Sequence, residues 1–120
     1  LEGFKTYKDL KIWQKGIELV YEVYSATKQF PPEELYGLSS QMRRSAISIP
    51  SNIAEGWGRE SNKSFIQFLR ISKASLFELE TQIIIAFNLD YVSQETRRII
   101  EEMIEEKGKM INALIKAIKD

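Results

Sequence analysis

Apolar residues recur at steps of three and four along most of the chain, the spacing of one face of an α-helix. Trp13, Ile17, Val20 and Tyr24 set the first stripe and predict a helix from about residue 9 to residue 28. Ile12, Leu19, Val23, Ala26 and Phe30 widen its apolar surface, which points to burial against two neighbours or to a contact outside the single chain. Gly16, inside this helix, costs roughly 1 kcal/mol relative to alanine and is expected to serve close helix packing. Phe30-Pro31-Pro32 ends the helix, because proline lacks an amide donor and restricts the residue before it. A short connector follows, and Leu38, Met42, Ala46 (or Ser45), Ile49 and Ile53 mark a second helix over 39–55. Pro50 falls inside it and is expected to kink the axis, since Ile49, Ile53 and Trp57 keep helical spacing across the proline.

Gly56-Trp57-Gly58 is expected to close this helix, a glycine adopting the left-handed cap. Ser61 then suits the N-cap of a third helix over 62–89. Phe65, Leu69, Ser72, Leu76, Leu79, Ile83 and Ala86 form a near-heptad stripe, which favours shallow-angle bundle packing. Near Ile83-Ile84-Ile85-Ala86-Phe87 the helix is apolar almost all round, so it lies centrally or is covered by another subunit. Ser93 caps a fourth helix over 94–119, with Ile100, Met103 or Ile104, Lys107, Met110 or Ile111, Leu114 and Ile118 inward. Lys107 is expected to bury its stem and carry its ammonium to water. Four helices with short loops predict one all-α domain over 1–120, an antiparallel up-and-down four-helix bundle.

Composition narrows the chemistry. The 120 residues contain neither cysteine nor histidine, so disulfides, thiolate metal sites, imidazole ligands and imidazole general bases are all unavailable. No di-iron pattern exists without Glu-x-x-His, so neither metal nor cofactor is expected. No apolar run approaches a membrane span and the start lacks a signal-peptide core, so a cytoplasmic protein is expected. The formal net charge is zero but uneven. Over 39–77, six cations (Arg43, Arg44, Arg59, Lys63, Arg70 and Lys73) face two acids; over 78–106, eight acids face two arginines. The neutral whole argues against strong non-specific nucleic-acid binding, while the basic stretch offers a face for an anionic partner.

The polar residues of the second helix carry the remaining candidate chemistry. Ser45, Ser48, Asn52, Glu55 and Arg59 follow steps of three and four and form one ridge. Ser72, Ser75 and Glu78 lie across the expected hairpin, and Glu80 is counted with the same polar set. Two readings stand: a hydrogen-bonded structural network, or a surface that grips a partner. Trp57 is likewise either a lid on the core or an exposed anchor. Glu55 could act as a base only with a pocket and a partner residue, so no enzyme is expected.

The runs Asp9-Leu10-Lys11-Ile12-Trp13-Gln14-Lys15 and Gln41-Met42-Arg43-Arg44-Ser45-Ala46-Ile47-Ser48-Ile49-Pro50-Ser51-Asn52-Ile53-Ala54-Glu55-Gly56 resemble the four-helix-bundle family of the 23S rRNA intervening-sequence protein. Gly58-Arg59 and the Phe65 to Glu80 segment extend the likeness over almost the whole chain. The resemblance implies a small bacterial bundle that assembles into a ring, commonly a homopentamer. It also implies kinship with the basic accessory proteins of diversity-generating retroelements, ring-shaped partners of a reverse transcriptase and nucleic acid. It supplies no catalytic residue, and the neutral charge here departs from those basic relatives. The expectation is a non-enzymatic homo-oligomeric adaptor associated with RNA or a nucleic-acid-processing protein. The alternatives are a purely protein-binding module and, more remotely, a small enzyme using Glu55.

Overall fold

The computed structural model describes residue 1 and residues 3–119. Thr6 and Asp9 form a reciprocal capping box around a 3-10 turn at Tyr7–Asp9, in which the Asp9 carboxylate accepts from the Lys5 and Thr6 amides at 2.8 and 3.2 Å. The first helix, α1 (Lys11–Thr27), therefore starts two residues later than the periodicity indicated. After Pro31, a second 3-10 turn at Pro32–Glu34 leads into α2 (Leu38–Gly58). Then come α3 (Asn62–Asn88) and α4 (Gln94–Lys119). The Ser61 hydroxyl accepts from the Ser64 amide at 3.3 Å, and Ser93 from the Thr96 amide at 3.1 Å, satisfying amides that have no partner within the helix.

The helices run antiparallel in sequence order: α1 packs on α2 and α4, α3 packs on α2 and α4, and the diagonal pairs stay apart. The product is an all-α up-and-down bundle of 45 × 23 × 19 Å, with no strand among the described residues. Its interior holds Leu19 and Val23, Met42, Ile49 and Ile53, Leu69, Leu76 and Ile83, and Ile100 and Ile111. All seven members of the α3 stripe are buried.

The core-facing stripe of α1 differs from the expected one. Ile12, Gly16, Leu19, Val23 and Thr27 are buried, while Trp13, Ile17, Val20 and Tyr24 are only half-buried beside them. The apolar pattern misplaces this stripe because its closest approach is made by a residue with no side chain. A Cβ on Gly16 would stand 3.4 Å from the Cβ of Pro50. Across that contact α2 continues as one helix through Pro50.

The end of α2 also departs from expectation. It runs to Gly58 instead of stopping near residue 55, and the left-handed residue beyond it is Glu60 (φ 59°), not a glycine. Gly56 has a different task. A Cβ there would lie 2.7 Å from the Phe68 Cβ and 3.0 Å from the Phe65 Cδ1, so its bare backbone lets α3 dock. Lys107 is the other correction. Its side chain is 1% exposed, and its ammonium stays inside at 3.3 Å from the Met103 carbonyl and 3.5 Å from a Glu106 carboxylate oxygen. Burial pushes the Lys107 pKa down, against the opposing pull of Glu106.

Candidate functional site

The polar ridge of α2 meets α3 in a small network. The Asn52 amide donates at 2.8 Å to both the Ser48 carbonyl and its hydroxyl. The Ser75 hydroxyl lies 2.9 Å from that of Ser48 and 3.2 Å from the Ile71 carbonyl, so its one proton serves either. Deeper in, the Ser72 hydroxyl donates to the Ile49 carbonyl at 2.9 Å and ties α3 to α2 one residue before the proline. Ser45 is buried on the same side of α2. Glu55, Glu78 and Glu80 do not join. Glu55 is exposed and paired with Arg59 at 2.9 Å, Glu78 is exposed, and Glu80 faces the α3–α4 groove. Their carboxylates stay near water because the interhelical space here admits only serine-sized groups. Trp57 sits half-buried, edge-on to Phe65 at 6.1 Å.

The six cations fall into separate groups. At the α1–α2 seam, Arg43 is fixed: its Nε donates to the Thr27 hydroxyl at 2.8 Å and its guanidinium lies 4.6 Å from the Tyr24 ring centre. Arg44 beside it is exposed, and the two border an open groove of about 510 Å³ with Leu35, Tyr36 and Ile47. Arg59 is held by Glu55 and stacks on Phe68 at 5.0 Å. Lys63 and Arg70 line a cleft of about 630 Å³ at the opposite end of the bundle, with Ile66, Ile118 and Lys119. Lys73 belongs to a third groove, of about 600 Å³, between α3 and α4, where it lies 6.0 Å from the Phe77 ring.

Sequence reasoning missed the residues that complete these groups. Lys119 joins Lys63 because antiparallel order brings the end of α4 to the start of α3. Tyr36 joins Arg44 because a tight turn folds back over α2. One further device was not foreseen. The Glu34 carboxylate accepts the Leu38 amide at 3.1 Å and the Tyr91 hydroxyl at 2.8 Å, capping α2 from the preceding turn. The Leu38 amide and then Tyr91 hold the Glu34 carboxyl below its ordinary value, and Glu34 in turn raises the Tyr91 phenol.

Among the described residues, no three acidic side chains cluster as a metal site would require, and no helix is long and apolar enough to cross a membrane. The geometry offers cation-lined grooves and exposed apolar side chains. No curated protein matches the chain. Among solved structures, a protein of unknown function from the S23 ribosomal protein family of Bacteroides thetaiotaomicron is similar, at 24% identity and a TM-score of 0.81 over 88% of this chain and 98% of that one. That likeness carries the fold alone. The family model described as 23S rRNA-intervening sequence protein matches residues 8–113.

Proposed function

The chain belongs to the 23S rRNA-intervening sequence protein family, and from that premise we propose that it is a non-enzymatic adaptor that assembles with copies of itself and associates with RNA or a ribonucleoprotein. The observation that carries the reading is the outer face of α3 and the turn after it. Ile71, Ile85 and Leu89 are 45%, 43% and 50% exposed there, with the small Ala74 and Thr81 and the exposed Glu78 between them. Covering each half-exposed side chain is worth roughly 1 kcal/mol, a contribution that the remaining contacts of an interface would have to complete. The RNA half draws on the cation groups at the two ends of the bundle and on the family's description. The non-enzymatic half draws on Glu55, whose carboxylate is exposed and held by Arg59.

Light scattering on a sizing column, at two salt concentrations, tests the assembly. The single chain weighs 13.9 kDa. A salt-insensitive multiple is expected, about 70 kDa for a closed ring of five. Changing Ile71 and Ile85 together to glutamate should return the single-chain mass with helicity intact. A wild-type protein that stays at 13.9 kDa sinks the reading. For the RNA half, binding of an RNA with unpaired loops should weaken as salt rises from about 50 mM, with the shallow slope of a few phosphate contacts.

A further inference from the structure

The α1–α2 groove joins two features that solvated surfaces rarely combine. One is a pre-set cation. Arg43 has its plane fixed by the Thr27 hydroxyl at 2.8 Å and by the Tyr24 ring at 4.6 Å, so little side-chain freedom remains to be lost on binding. Among the described residues no carboxylate lies within ion-pair distance of Arg43 or Arg44. The nearby acid Glu34 is turned away, engaged by the Leu38 amide and the Tyr91 hydroxyl. The other feature is an aromatic platform. Tyr36 is 93% exposed on the turn, flanked by Leu35 at 51% and Ile47 at 42%.

Cations without counter-charges select an anion, and a bare phenol ring beside them selects a flat apolar partner. A nucleotide carries both on one residue. A duplex presents phosphates but keeps its base faces stacked inside, and a chain of zero net charge has too few cations to hold it by counterion release. An unpaired strand offers its bases to aromatic rings directly. We propose that this groove binds single-stranded nucleic acid, with a phosphate on Arg43 and Arg44 and an unstacked base on Tyr36. The inference rests on the RNA-associated reading above and names the strand type and the site.

The test is fluorescence anisotropy of the full chain with labelled oligouridylate of about 10 nucleotides, its DNA counterpart and an RNA duplex of the same length. Tyr36→Ala and Arg44→Ala alter exposed side chains and should leave the circular dichroism unchanged. Tyr36→Ala should weaken single-strand binding about tenfold or more, the effect of losing one stacked base. Arg44→Ala should weaken it and lower the salt slope by about one. Lys109→Ala, exposed on α4 and paired with Glu105, should change neither. The RNA strand should bind at least as tightly as the DNA strand, and a loss at Tyr36 with RNA supports the site, whereas a clear preference for DNA overturns the RNA reading on which it rests. Binding that resists both groove variants but falls with Lys63→Ala overturns the groove and leaves RNA association standing. A duplex bound as tightly as the single strand also overturns it. So does a fall in solution mass for Tyr36→Ala, which would make the groove a subunit contact. No binding of any strand overturns this inference and removes the RNA half of the adaptor reading.

Discussion

Gly56→Ala separates packing from helix propensity, because the same substitution elsewhere in the chain should act in the opposite direction. In a free helix the change gains about 1 kcal/mol. At position 56 the new methyl would stand 2.7 Å from the Phe68 Cβ and 3.0 Å from the Phe65 Cδ1. The first of these atoms is fixed to the α3 backbone, so relief requires the α2–α3 seam to open rather than a side chain to rotate. Forcing a methyl into a packed contact costs about 1–3 kcal/mol, which leaves a net loss of up to about 2 kcal/mol after the propensity gain. For a domain of this size that is a fall in Tm of up to about 8 °C. Gly108→Ala is the control: it lies within α4, and an added Cβ meets nothing within 4 Å. There the propensity gain should stand alone and raise Tm by about 4 °C. Thermal and urea unfolding followed by circular dichroism read both, at one protein concentration because assembly links stability to concentration. A Gly56→Ala protein as stable as Gly108→Ala would refute the close approach.

Two further predictions concern titrating groups. Lys107→Met should stabilise the protein by about 1–2 kcal/mol at neutral pH, since it replaces a desolvated ammonium with an apolar chain of similar length. The native protein should also gain stability as pH climbs from the lowered Lys107 value towards 10.5, where the unfolded chain holds the extra proton, and Lys107→Met should lack that rise in alkaline urea titrations. Glu34→Ala should lower Tm at neutral pH by removing the cap of α2 and the partner of Tyr91. Because the folded Glu34 carboxyl titrates below 4.5, the difference from wild type should vanish as pH falls through that lowered value; a difference that persists in acid would contradict the assignment.

How much of this was legible in the sequence depends on whether a residue's role is local. The stripe from Phe65 to Ala86 is visible because each member buries its own side chain at helical spacing, and all seven are buried. Ser61 and Ser93 are legible as caps because the amide each one satisfies is three residues away. The α1 stripe was displaced because Gly16 contributes an absence, and the pattern of apolar side chains does not register an absence. The Ser-Asn ridge was found in sequence, but its glutamates were assigned to a network that the narrow α2–α3 seam leaves no room for.

The sequence by itself determined the helices, their order and the all-α bundle, because amphipathic periodicity and short loops admit few other ways to bury four stripes. It also determined the absence of thiol and imidazole chemistry, which follows from residue types alone. Only the tertiary structure decided which cations stand together. Arg43, Arg44 and Tyr36 meet at one end of the bundle, while Lys63, Arg70 and Lys119 meet at the other. Charge counted along the chain merges these groups, since Arg44 and Lys63 are separated by only 19 positions in the sequence. In an antiparallel bundle sequence neighbours are carried to opposite ends along a helix rising about 1.5 Å per residue, and distant segments are returned to the same end by the next reversal.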